Sequence, residues 1–143
     1  MTASVPGESK EGLPARRKFP RAGRLLRHGD FERVYKLGRR HFSPSITVFY
    51  LGREAAVAAP GLRVGFTVGR ALGGAVQRNR MKRRLREAVR LTRPWPGARA
   101  DVVINPKKVV LTIEFKALLN EVRQAFVVIE KKLLAKGEGT ERA

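Results

Sequence analysis

The 143 residues include no cysteine, which excludes disulfides and thiolate metal sites and suits a reducing compartment. Acidic side chains are scarce, 12 Asp and Glu against 31 Lys and Arg, for a formal net charge of +19. Only two histidines occur, His28 and His41, and neither stands in sequence beside a paired acid and nucleophile, so catalysis by protein side chains has little to work with. A phosphate-cradling loop is also missing. The run Gly69-Arg70-Ala71-Leu72-Gly73-Gly74 lacks the Lys-Ser/Thr ending that such a loop needs to reach phosphates and Mg²⁺. No apolar run approaches the roughly 20 residues needed to span a bilayer, and Met1 to Lys10 has no basic start followed by an apolar stretch, as a signal peptide would. The chain therefore reads as cytoplasmic, with no membrane partner.

What is present is a core and an excess of positive charge. Hydrophobic residues make up 43% of the chain, enough to set it apart from a disordered polycation. A compact domain with this imbalance repels itself unless a polyanion neutralises it. Nucleic acid fits that role, because displaced counterions supply affinity independent of sequence.

Three segments follow from composition. Residues 1–22 hold Pro6, Gly7, Gly12, Pro14 and Pro20 among charges and form a flexible basic arm that cannot offset its own ordering entropy. Residues 23–135 form one α+β domain, and residues 136–143 form a second tail. Within the domain, Asp30 to Gly38 predicts a short helix with Phe31, Val34 and Tyr35 on one face and Gly38 as the stop. Ser45 to Leu51 is β-branched and aromatic, and a further strand can lie between Ser43 and Gly52. Leu62, Val64, Phe66 and Val68 alternate with Arg63, Gly65, Thr67 and Gly69, the pattern of a half-buried strand. A helix over Val76 to Leu91 comes next, then the Pro94-Trp95-Pro96-Gly97 loop and a short buried strand at Asp101 to Ile104. Thr112 is placed to cap a final helix striped by Phe115, Leu118, Leu119, Val122, Phe126, Ile129 and Leu133.

The Val76–Leu91 helix carries the chemistry. Met81, Leu85, Ala88 and Val89 recur at i, i+4, i+7 and i+8 and make one apolar face. The rest holds Arg80, Lys82, Arg83, Arg84, Arg86 and Arg90, with Glu87 the single acid among them. A merely solvated helix mixes signs along its i, i+4 ladders, whereas this one is a cationic ridge whose guanidinium forks match phosphates and stack on bases. A membrane-surface helix is disfavoured because the apolar face lacks a large aromatic anchor. The strand neighbours Phe49 and Tyr50 point to opposite faces, so one is turned from the core and can stack an unpaired base, which favours RNA over DNA.

The segment Ala75-Val76-Gln77-Arg78-Asn79-Arg80-Met81-Lys82-Arg83 resembles the signature of the bacterial ribonuclease P protein family. The likeness continues through Asp30-Phe31, Val34-Tyr35, Phe49-Tyr50, Arg63 to Val68 and Asp101 to Ile104, from about Arg24 to Leu134 in order. Departures are Gly69-Arg70-Ala71 where the family usually has Ser-Lys-Lys, Gly73-Gly74 in place of Gly-Asn, and Asn105-Pro106-Lys107 where Arg-Pro is common. The resemblance implies an α/β two-layer sandwich in the order αβββαβα: a four-stranded mixed sheet, helices on one face, and a left-handed βαβ crossover. It also implies a subunit that binds the ribonuclease P catalytic RNA and the 5′ leader of precursor tRNA, with Mg²⁺ used by the RNA subunit and no metal or obligate protein partner for the protein. Carried over residue by residue, Arg70, Arg78, Asn79, Arg80, Lys82, Arg83 and Arg86 face the catalytic RNA, and Phe31, Tyr35 and Phe49 line a leader-binding cleft. The competing expectation is a ribosomal or ribosome-assembly protein of similar fold.

Overall fold

A computed structural model describes residues 27–53, 61–93, 95 and 98–142, with residues 135–142 given as helical backbone. The expected arm, residues 1–22, lies outside the described residues, as do Pro94, Pro96 and Gly97 of the expected loop. The elements run α1 (His28–Leu37), β1 (Arg39–Phe42), β2 (Ile46–Gly52), β3 (Leu62–Phe66), α2 (Ala75–Leu91), β4 (Ala100–Pro106) and α3 (Phe115–Arg142). This is the expected α+β order. Two single 3-10 turns, Arg70–Leu72 and Lys108–Leu111, precede α2 and α3.

The four strands form one mixed sheet in the order β1-β2-β4-β3. β1 and β2 make an antiparallel hairpin closed by the Ser43 amide on the Ile46 carbonyl, 2.9 Å away. β2 also pairs antiparallel with β4, while β3 lies parallel to β4. Parallel neighbours need a long crossover, and α2 provides it.

Side chains alternate across a strand, and here both sets are apolar where the sheet is central. Ile46, Val48, Tyr50, Leu62, Val64, Val102 and Ile104 pack with Met81, Leu85, Ala88 and Val89 of α2 and with the predicted stripe of α3. Phe49, Leu51 and Val103 point the other way and meet Phe31 and Val34 of α1. Thus α2 and α3 share one face, but α1 lies across the opposite face. The expectation of helices on one face is corrected by these second-face apolar side chains, which would otherwise meet water.

The sequence reading of other local features also needs adjustment. Gly38 ends α1 with extended backbone, φ −85°, so it is not selected for a left-handed turn. Its role is close approach, because a Cβ there would lie 2.5 Å from the backbone oxygens of both Tyr50 and Val34. Thr112 does not cap α3. It terminates the preceding 3-10 turn, with its amide on the Val109 carbonyl, and α3 begins three residues later. The half-buried strand stops at Phe66, before Val68. The α3 backbone stays helical through Arg142, across most of the segment expected to be a tail.

Candidate RNA interface

The entry to α2 is built from Gly73, at φ +137°, a conformation glycine adopts without a Cβ penalty. The Gly74 amide then donates to Gln77 Oε1 at 2.9 Å, so a side chain three residues into the helix satisfies one of its unpaired first-turn amides. The Gln77 side chain thereby supplies a side-chain amide that Gly74 lacks. Arg78 Nε donates to the Gly73 carbonyl at 3.1 Å and fixes the same turn.

Beyond that turn, the four buried residues Met81, Leu85, Ala88 and Val89 dock the helix on the sheet, and the remaining positions divide by partner. Asn79, Arg80, Arg83 and Arg86 are exposed, Arg78 and Lys82 are half-buried, and Arg70 is exposed on the turn before the helix. Among the described residues Arg80, Lys82, Arg83 and Arg86 make no ion pair, and Asn79, Arg83 and Arg86 follow one another along the helix at i, i+4 and i+7. Two other members of the predicted ridge are occupied. Arg84 donates to the Ile113 carbonyl, its guanidinium 6.0 Å from the Phe115 ring centroid, and so ties α2 to the start of α3. Arg90 pairs with Glu87.

The predicted aromatic residues meet on the opposite sheet face. Tyr35 stands edge-on to Phe49 with centroids 4.8 Å apart and an interplanar angle of 87°, a favourable quadrupole arrangement. Its hydroxyl lies 2.6 Å from Thr67 Oγ1 and 3.0 Å from Asn105 Oδ1. One hydroxyl proton serves one acceptor and the Asn105 Oδ1 can only accept, so a relay satisfies all three groups when Tyr35 donates to Asn105 and accepts from the Thr67 hydroxyl. Phe31 and Phe49 are half-buried around Val34 and Val103, and Tyr35 retains 38% exposure. The Arg40 guanidinium sits 5.7 Å from the Phe49 ring centroid.

Sequence reasoning missed what stands at the other end of this face. Asp101 is 2% exposed and accepts two bonds of 2.8 Å from Arg63, its neighbour across the β3–β4 pairing. Arg53 Nε is within ion-pair reach of Asp101 at 3.2 Å without hydrogen-bond alignment, and Arg63 also lies 3.7 Å from Asp30 of α1. Burial pushes the Arg53 guanidinium below its ordinary range, against the pull of Asp101. The hydrogen bonds to Asp101 hold Arg63 above it. The signal was an acid opening an otherwise apolar strand, which needs a buried cationic partner.

A helix with a bare cationic side offers guanidinium forks to phosphates, and a sheet face with an edge-on aromatic pair offers ring surface to unpaired bases. Residues 19–130 match the family model for ribonuclease P. The chain belongs to the ribonuclease P protein family. It is a subunit of the endoribonuclease that matures tRNA 5′ ends and a partner of ribonuclease P RNA. The ribonuclease P protein component of Oleidesulfovibrio alaskensis is 42% identical over 110 residues, covering 73% of this chain and 86% of that protein. That of Symbiobacterium thermophilum is 40% identical, covering 74% and 90% respectively. The fold agrees with the solved RNase P proteins of Staphylococcus aureus (TM-score 0.63, 23% identity, 76% of this chain and 95% of that one) and Thermotoga maritima (TM-score 0.62, 24% identity, 72% and 94%). These findings favour ribonuclease P over the ribosomal alternative.

Proposed function

We propose that the two faces divide the work of the holoenzyme. The α2 ridge, with Arg70, Arg78, Asn79, Arg80, Lys82, Arg83 and Arg86, binds the catalytic RNA. The cleft of Phe31, Tyr35 and Phe49 binds the single-stranded 5′ leader of precursor tRNA. The observation that carries this reading is the position of α2 and the Tyr35–Phe49 pair on opposite faces of one sheet. One protein can then hold structured RNA and a single strand at once. Ridge arginines free of protein acids are available for phosphates, and aromatic faces tolerate any base, as leaders of varied sequence require.

Bond cleavage belongs to the RNA subunit and the Mg²⁺ it holds. The protein's part is binding and positioning. No helix among the described residues is long and apolar enough to cross a membrane.

The test is precursor tRNA cleavage by bacterial ribonuclease P RNA at low Mg²⁺, with and without this protein. Strong stimulation at the mature 5′ end is expected. No stimulation by folded protein would overturn the reading.

A further inference from the structure

The leader cleft accounts for Phe31, Tyr35 and Phe49 but leaves a large aromatic side chain beside it unexplained. Phe42, on the edge strand β1, is 67% exposed. Paired residues on neighbouring strands point to the same face, and the register sets Arg40 opposite Phe49 and Phe42 opposite Thr47. Phe42 therefore projects from the cleft face, whereas His41, opposite the core residue Val48, projects from the other. Thr47 is in turn opposite Asn105, so Phe42, Thr47 and Asn105 form one row across the sheet, ending at the Tyr35 hydroxyl.

Cations surround this phenylalanine. Arg40, two residues back on the same strand and opposite Phe49, is exposed on the same face, and exposed Lys107 reaches the neighbouring Ser43 carbonyl at 3.0 Å. On this face Asp30 and Asp101 belong to the far end and are engaged by Arg63, and Glu121 of α3 is taken up by the Ser45 amide and hydroxyl at 2.9 and 2.7 Å. An apolar protein partner would have to desolvate both cations. A single-stranded RNA uses both properties, a base against the ring and phosphates against the cations.

We propose that Phe42, flanked by Arg40 and Lys107, is a second stacking platform for the 5′ leader, continuing the Tyr35–Phe49 cleft to the β1 edge. The proposal rests on the leader-cleft reading. β1 and β3 are opposite edges of the sheet, and Arg70 with the ridge follows directly from β3. A leader leaving the catalytic RNA on that side meets Tyr35 and Phe49 first and Phe42 last. Phe42 thus takes the nucleotides farther from the cleavage site.

The test measures holoenzyme affinity for precursor tRNAs with no leader, a leader of about four nucleotides and one of about ten, within the span of one single-strand site. Phe42→Ala is expected to weaken binding of the long leader about fivefold, the lower end of one lost stacking contact, and to leave the short leader and leaderless tRNA unchanged. Phe42→Trp should retain the long-leader advantage, and Phe42→Gln, which keeps a side chain of some size, should lose it like alanine. Tyr35→Ala should weaken both leaders. If Tyr35→Ala does so while Phe42→Ala preserves the long-leader advantage, the platform is overturned and the cleft stands. If neither variant responds to the leader, both readings fail. An equal loss with leaderless tRNA, or a Phe42-dependent dimer in sedimentation, assigns Phe42 to another partner and also overturns the proposal.

Discussion

Arg63 on β3 holds Asp101 on β4 through two parallel hydrogen bonds of 2.8 Å, and the carboxylate is all but sealed from water. The bidentate geometry is the strong form of a carboxylate–guanidinium contact, and it joins the two parallel strands beneath the N-terminal turn of α1, where Asp30 adds a third charge. Removing one partner of a buried pair leaves the other uncompensated. Asp101→Ala is accordingly expected to destabilise the fold by about 3 kcal/mol, read as a lower urea midpoint at unchanged slope. A loss under about 0.5 kcal/mol, the range of ordinary surface substitutions, would mean that the pair contributes nothing to the fold.

The arginines of α2 are predicted to separate into two kinds. Arg83→Ala removes a guanidinium with no acidic partner and should reduce the salt dependence of assembly with ribonuclease P RNA by about one logarithmic unit per unit, the share of one phosphate contact. Arg80→Ala should behave alike. Arg84→Ala should lower thermal stability instead, because that side chain is committed to the Ile113 carbonyl and the Phe115 ring, and its salt slope should stay near that of the unaltered protein. Titrations across salt concentrations, with melting curves of the same variants, decide the matter. A flattened slope for Arg84→Ala with unchanged melting would reverse the division.

That division marks the limit of what was legible in the sequence. Met81, Leu85, Ala88 and Val89 identify the docked face of α2 because the 3.6-residue period is a property of the chain alone. The order of strands and helices follows from similar local patterns. Which ridge cations are spent inside the protein depends on Ile113 and Phe115, about thirty residues away, and periodicity does not reach that far. The same holds for Arg63 and Asp101, adjacent only because β3 and β4 pair in parallel. The second apolar face was half legible, since Val102-Val103-Ile104 offers no polar alternate and Phe49-Tyr50 must split between faces. That α1 covers the face away from α2 required knowing the sheet order. Gly38 was read as a helix stop, and its actual constraint, the Tyr50 carbonyl, is likewise a tertiary neighbour.

Gly38 itself gives a sharp prediction. Any side chain must displace two backbone oxygens at 2.5 Å, and backbone in a paired strand yields little. Gly38→Ala should therefore cost about 1–3 kcal/mol, in the range of overpacking, even though alanine is the better helix former. Equilibrium urea unfolding tests this, with Gly29→Ala, whose added Cβ meets nothing within 4 Å, as the matched control. Equal stability of the two variants would show that the turn between α1 and β1 gives way freely.

The last prediction concerns the Tyr35 hydroxyl, which ties α1 to the ends of β3 and β4 through Thr67 and Asn105. Tyr35→Phe keeps the ring against Phe49 and removes only this tie. If the cleft binds leaders by stacking alone, the variant should hold them as well as the unaltered protein does. If the relay is what positions the ring, leader affinity should fall by about 1 kcal/mol, the typical net worth of a hydrogen bond. We expect the second outcome. Tyr35 is partly exposed, and an edge-on contact by itself leaves the ring free to tilt, whereas two polar anchors, one just beyond β3 and one on β4, fix its plane. The loss should be smaller than that of Tyr35→Ala, for which about 1–3 kcal/mol of stacking disappears as well, and absent for leaderless tRNA. Asn105→Ala should reproduce part of the Tyr35→Phe effect and add nothing to it in the double variant, since both remove one shared contact. Additive losses would place Asn105 in direct contact with the leader rather than behind the tyrosine.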